Sequence, residues 1–189
     1  MQITSRYMGM QNVRDTIALL EQPAIRIYVK YGIDPRAVIA QSALENGWLK
    51  YVLSGVSSGV DELLISVWED TSKPQPQRPA LNSQLIYTNN LFNMQWHDGC
   101  GYDFLWCWVS QKRADGKWIF HWEKMRWYKT IDECLEDWIK VLNLPRYKSA
   151  WDNRSDMAKF FQGIQDGGWA TGDGYAQKLL QTANTMSVV

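Results

Sequence analysis

Glu45 is the side chain in this sequence best placed for acid chemistry. The string Val38-Ile-Ala-Gln-Ser-Ala-Leu-Glu45-Asn46-Gly47-Trp48 sets one carboxylate where a helix should end and a tryptophan just beyond it. Asp34 before Pro35 reads as an N-cap with proline at the first helical position, and Asn46-Gly47 reads as a stop. A helix is therefore expected from Pro35 to Glu45. In its last turn a carboxylate meets the negative end of the helix dipole, and burial beside Trp48 disfavours its charge further. Both effects favour keeping the proton, as a general acid near neutral pH must. The plain alternative is a solvated glutamate at a helix end.

The surrounding string adds to this. AVIAQSALENGW resembles the signature helix of the glucosaminidase family, glycoside hydrolase family 73, which reads AQ-x-x-x-E-S-G-W with the glutamate as general acid. NNLFNMQ (Asn89 to Gln95), RYKSAW (Arg146 to Trp151) and GGWATGDGYAQKL (Gly167 to Leu179) follow in the family's order. The resemblance implies a mainly helical, lysozyme-like α+β fold with a small antiparallel β-hairpin lobe, one domain spanning residues 1–189. It implies a peptidoglycan hydrolase that cuts the glycan strand as an endo-β-N-acetylglucosaminidase, with no cofactor and no metal. Trp48, Asn89, Asn90, Phe92, Trp169 and Tyr175 are then the residues expected along the substrate. For Asn89 and Asn90 the competing reading is backbone capping, for Phe92 the core, and for Tyr175 a packed helix position.

Glycoside hydrolysis usually needs a second carboxylate. Aligning on Asp115-Gly116 and on KMRWYKT, which resembles the family's KFRVYKS, puts that position near Gln111 and Lys112. Neither is acidic. Asp103 and Glu123 are the nearby candidates, with Asp98 after them, while Asp115 reads as a turn former. The family's GYAT is GWAT here, so Trp169 replaces a tyrosine by an indole that can only donate. The stretch from Glu45 to Asn90 is longer than is usual in the family, and a proline-rich loop over residues 71–82 accounts for the excess. A lytic transglycosylase or muramidase on the same fold stays open as an alternative. So does a non-catalytic wall-binding module of a phage tail or secretion apparatus.

The elements that must position these residues follow from periodicity and composition. The chain of 189 residues is 46% hydrophobic, enough for one buried core, and its 20 basic and 20 acidic residues balance. Balanced charge gives no sign of a nucleic-acid footprint or a polybasic membrane anchor. Eleven tryptophans, nine tyrosines and five phenylalanines can fill a core or stack on sugar rings. Val13 to Gly32 is apolar at helical spacing and is expected to break at Pro23 into two helices. Asp61 to Trp68 reads as a short helix. Residues 102–128 alternate at period two around Asp115-Gly116, which predicts a β-hairpin with Phe104, Trp106 and Trp108 on one face of its first strand. Thr130 and Glu133 form a capping box for a helix burying Ile131, Leu135, Trp138, Ile139 and Leu142. Two further helices are expected, one from Ser155 to Gly167 burying Met157, Phe160, Phe161 and Ile164, the other from about Asp173.

Cys100, Cys107 and Cys134 show no metal-ligand spacing and read as reduced, half-buried residues. The N-terminal residues lack the pattern of a secretory signal, and no apolar run matches a membrane span. Cytoplasmic synthesis is expected, followed by export, injection or lysis to reach the periplasm or wall. A phage lysin or a secreted effector fits, with a delivery apparatus or an immunity protein as partner and neither nucleic acid nor membrane insertion involved.

Overall fold

The computed structural model of the chain describes residues 13–81, 83–170 and 173–186. The described residues form two compact units: a helical unit made from the chain up to Tyr51 and again from Lys129 onward, and a sheet unit from Val52 to Tyr128. Among the described residues there are six α-helices and five β-strands, an α+β fold. The N-terminal stretch read for a signal, Asn82 of the proline-rich loop, and Thr171 and Gly172 of the GWATGDG string lie outside the described residues.

In the helical unit, α1 runs from Val13 to Tyr31 without a break. The expected division at Pro23 does not occur. Thr16, Leu19, Leu20, Pro23, Ala24 and Ile27 form one continuous buried stripe across the proline, and its burial outweighs the roughly 3 kcal/mol that an internal proline costs. Helix α2 (Pro35–Asn46) packs on α1. Thr130 caps α3 (Ile131–Leu142) by accepting the Glu133 N–H, while the Glu133 carboxylate accepts the Lys129 N–H, a box closed one residue earlier than usual. All five residues of the expected α3 stripe are buried.

A short 3-10 turn (Pro145–Tyr147) and the helix α4 (Lys148–Asp152) follow, both without an expectation from sequence. Helix α5 (Met157–Asp166) starts from Asp156 rather than Ser155, because the Asp156 carboxylate accepts the Lys159 N–H. Its buried face is Phe160, Phe161, Gly163 and Ile164, with Met157 only half-buried. Gly163 is required there, since a Cβ would lie 2.3 Å from the Ala150 amide nitrogen. Helix α6 (Tyr175–Asn184) packs on both α2 and α5.

The sheet unit is a five-stranded antiparallel sheet ordered β2-β5-β4-β1-β3, from β1 (Ser54–Val56), β2 (Ile65–Trp68), β3 (Ile86–Tyr87), β4 (Phe104–Lys112) and β5 (Trp118–Arg126). The expected hairpin is its centre, turned at Gly116 with φ +83°. Asp61 to Trp68 is not a helix. Asp61 turns the chain by accepting the Leu63 N–H, and the alternating Ile65, Ser66, Val67 and Trp68 pair with β5. From Pro74 to Leu81 the chain has neither helix nor strand.

Candidate active site

Helix α2 delivers Glu45 in the way its sequence predicts. The Asp34 carboxylate accepts the Arg36 N–H at 2.8 Å, and its hydrogen bonds with the Arg36 side chain hold it below the usual carboxylate range. The helix then ends in a left-handed turn of three successive residues, Gly47 (φ +61°), Trp48 (φ +60°) and Leu49 (φ +63°). Left-handed conformations are costly for the two non-glycine residues, so something must hold them. Asn46 does so. Fully buried, it accepts the Leu49 N–H at 2.6 Å through its side chain and donates to Ser42 Oγ at 3.1 Å, while its carbonyl accepts the Tyr51 N–H at 2.9 Å. Thr16 Oγ1 donates to the Trp48 carbonyl at 2.9 Å and ties the turn to α1. The ENGW string is thus a helix stop that fixes the end of α2 directly behind Glu45. Gly47→Ala is expected to cost about 1–2 kcal/mol for the left-handed residue alone. Thermal denaturation should register this as a fall of about 3–6 °C; an unchanged midpoint would mean the turn is not maintained in solution.

Glu45 is half-buried, and its Oε1 accepts the Tyr175 hydroxyl at 2.5 Å across 130 residues of sequence. Tyr175 is 6% exposed, and burial, followed by the neighbouring Glu45 charge, raises its pKa well above the ordinary phenol value. It therefore stays protonated and acts only as a donor to the carboxylate. Tyr175 starts α6 behind Gly174, which is left-handed, and the first-turn N–H of Ala176 is capped by Gln165 Oε1 at 2.9 Å. Trp169 stacks obliquely on Tyr147, with ring centres 5.8 Å apart, and both belong to the same helical unit as Glu45. Trp48 and Trp169 are half-buried.

A residue absent from the sequence expectations joins them. Gln41, one turn before Glu45, is fully buried and accepts the Trp138 indole N–H at 3.1 Å. Its traces in the sequence are its place as the glutamine of the AQ-x-x-x-E string and the i, i+4 spacing to Glu45.

In the sheet unit, Asn89 and Asn90 are fully buried and their amides serve the fold. Asn89 donates to the Tyr128 carbonyl at 2.6 Å. Asn90 donates to the Met94 and Arg126 carbonyls at 2.8 and 3.2 Å and accepts the Met94 N–H at 2.9 Å. Asn89 and Asn93 also take left-handed backbone, φ +53° and +52°, which asparagine tolerates better than most residues. These contacts support their capping reading. Phe92, 2% exposed, is a core residue and offers a sugar no face, which corrects its place among the substrate-binding residues.

Asp103 is exposed, and its carbonyl accepts the Trp127 N–H at 2.9 Å. Glu123 sits on β5 opposite Cys107, accepts the Lys124 N–H at 3.1 Å and approaches His121 Nε2 at 3.4 Å. Asp98 is exposed as well, and Asp115 is a turn former, accepting the Lys117 N–H at 3.1 Å. The tryptophans of the hairpin largely zip it together: Trp108 and Trp122 are register partners with ring centres 5.4 Å apart. Trp96, Phe104 and Trp106, all half-buried, surround the Lys124 ammonium at 5.1, 4.7 and 5.0 Å. The three cysteines are unbridged, and burial pushes the Cys107 thiol up to about 12. Among the described residues no cluster of three His, Cys, Asp or Glu side chains could hold a metal, and no helix is long and apolar enough to cross a membrane.

Comparison with known proteins gives the family and the fold. A family model described as mannosyl-glycoprotein endo-β-N-acetylglucosaminidase matches residues 21–188. Two relatives named peptidoglycan hydrolase FlgJ are similar over 151 residues: that of Vibrio parahaemolyticus is 28% identical and that of Vibrio cholerae 30% identical, each match covering 79% of this chain. The matched segment covers 40% and 36% of those relatives, so the chain spans well under half of their length. The solved C-terminally truncated glycoside hydrolase domain of Salmonella typhimurium FlgJ shares the fold, with a TM-score of 0.63 at 20% identity over 92% of this chain and 97% of that one.

Proposed function

The chain belongs to the glucosaminidase family of glycoside hydrolases, and from that premise we propose that it cleaves the glycan strand of peptidoglycan as an endo-β-N-acetylglucosaminidase, with Glu45 as the general acid. The observation that carries the assignment to Glu45 is the 2.5 Å hydrogen bond from Tyr175. A surface glutamate needs no buried partner drawn from another helix. On this reading the tyrosine holds Oε1, and the proton that passes to the glycosidic oxygen is carried on Oε2. As the bond breaks, the leaving sugar departs as an alcohol and positive charge develops at the anomeric carbon. The carboxylate left behind keeps the Tyr175 hydrogen bond, so its new charge forms against a donor already in place. Trp48 and Trp169 supply ring faces for sugar contact on this reading.

The departing bond must then be replaced. Gln111 and Lys112 stand where the resemblance puts a second acid, and this supports a route with one protein carboxylate, in which the acetamido oxygen of the substrate attacks the anomeric carbon and water later opens the ring it forms. Asp103 and Glu123 are the candidates for activating water directly. The first route retains anomeric configuration, and direct attack by activated water inverts it. The substrate places the site of action at the cell wall; a delivery apparatus or an immunity protein would be its partners if the protein is injected.

The test is digestion of purified peptidoglycan, with the released muropeptides reduced and weighed by mass spectrometry. Reducing-end N-acetylglucosamine is expected. Anhydro-muramyl ends would reassign the protein as a lytic transglycosylase, reducing-end N-acetylmuramic acid would make it a muramidase, and binding without release would make it a wall-binding module.

A further inference from the structure

Gln41 lies one turn before Glu45 on the same face of α2, where residues four apart are neighbours. Its Oε1 accepts the Trp138 indole N–H at 3.1 Å. An indole nitrogen can only donate, so this contact fixes the amide against a flip and sends its NH2 group away from Trp138. That nitrogen is buried and has no partner within hydrogen-bonding geometry. A buried amide donor is costly to leave unmet, and one that persists beside a reactive group calls for an explanation. The Tyr175 hydroxyl is the acceptor at hand. It donates its own proton to Glu45 and has lone pairs to spare, and Gln41 stands one turn from that carboxylate on the same helix.

We propose that Gln41, oriented by Trp138, is a positioning residue for the general acid: its amide N–H engages the Tyr175 oxygen, so that the Tyr175 proton points at Glu45 Oε1 and the transferable proton resides on Oε2. This rests on the reading of Glu45 as the acid. Without the amide, the phenol could turn its hydrogen elsewhere and compete for the proton meant for the substrate. Gln41 and Trp138 are fully buried and offer the sugar no surface, so the chemical step should suffer and substrate binding should not. The relay joins three helices, α3 through Trp138, α2 through Gln41 and Glu45, and α6 through Tyr175.

The test is a double-mutant cycle on peptidoglycan hydrolysis with Gln41→Met, Tyr175→Phe and the pair. Gln41→Met should lower kcat about tenfold with KM unchanged, the loss of roughly one net hydrogen bond in the transition state. In the Tyr175→Phe background the same substitution should cost nothing further. An equal loss in both backgrounds, a change confined to KM, or an undiminished kcat would overturn the proposal. A second measurement does not depend on turnover. In the 15N–1H spectrum, the Gln41 side-chain amide protons should shift and exchange faster in Tyr175→Phe, and signals unmoved by that change would also overturn it. If the wild-type protein releases no muropeptides, the reading of the site fails, while the spectrum still decides the Gln41 contact.

Discussion

Glu45→Gln is expected to lower peptidoglycan cleavage by about a thousandfold, within the 10²–10⁴ range that a general acid contributes, while leaving the fold intact. The amide is isosteric, and its carbonyl oxygen can still accept the Tyr175 hydroxyl that reaches Glu45 Oε1 at 2.5 Å. The left-handed turn behind the residue depends on Asn46, Ser42 and Thr16, none of which the change touches. What disappears is a transferable proton. The loss should therefore fall on kcat, with binding to the glycan and the thermal midpoint unchanged. A parallel fall in stability would instead mark Glu45 as a structural residue whose hydrogen bond holds α2 to α6.

The second large effect is on stability and lies in the sheet unit. Asn90→Leu removes two donated hydrogen bonds and one accepted bond from a fully buried side chain. The Met94 carbonyl keeps the Arg126 N–H, but the Met94 N–H loses its acceptor. An unmet buried donor together with the lost bonds should cost about 2–4 kcal/mol. That is a fall of about 5–12 °C in thermal midpoint, readable by circular dichroism. If Asn90 instead reads the acetamido group of the substrate, the midpoint would stay and KM would rise. The two outcomes separate a residue that builds the sheet unit from one that binds sugar.

Much of the candidate site was legible because its signals are local. Asp34-Pro35 and Asn46-Gly47 mark both ends of α2 through capping chemistry, and the period-two run around Asp115-Gly116 marks the hairpin. Pro23 misled because the rule for an internal proline weighs only the lost hydrogen bond and the ring clash, whereas the stripe it interrupts is buried along its whole length. Strands β1 and β3 are three and two residues long, too short for any period, and exist only through partners elsewhere in the chain. Ile65 to Trp68 misled for a related reason, since what makes it a strand is its pairing with β5.

The features that turn a glutamate into a candidate acid were the least legible. Tyr175 meets Glu45 from 130 residues away, and Trp138 meets Gln41 from 97. Such contacts are set by how α2, α3 and α6 pack, and no spacing in the sequence encodes them. The left-handed Trp48 and Leu49 were likewise unforeseen, because neither residue type favours that backbone and the buried Asn46, together with Thr16 from another helix, holds it.

Proton donation by Glu45 is tested most directly by comparing wild type and Glu45→Gln on two leaving groups. Peptidoglycan expels a sugar alkoxide that needs a proton, whereas an N-acetylglucosamine oligosaccharide ending in a β-linked dinitrophenolate expels a group that leaves without one. The variant should be about a thousandfold impaired on peptidoglycan and within about tenfold of wild type on the aryl glycoside. Equal impairment on both would contradict the assignment, since a residue that only shapes or binds would not distinguish the leaving groups.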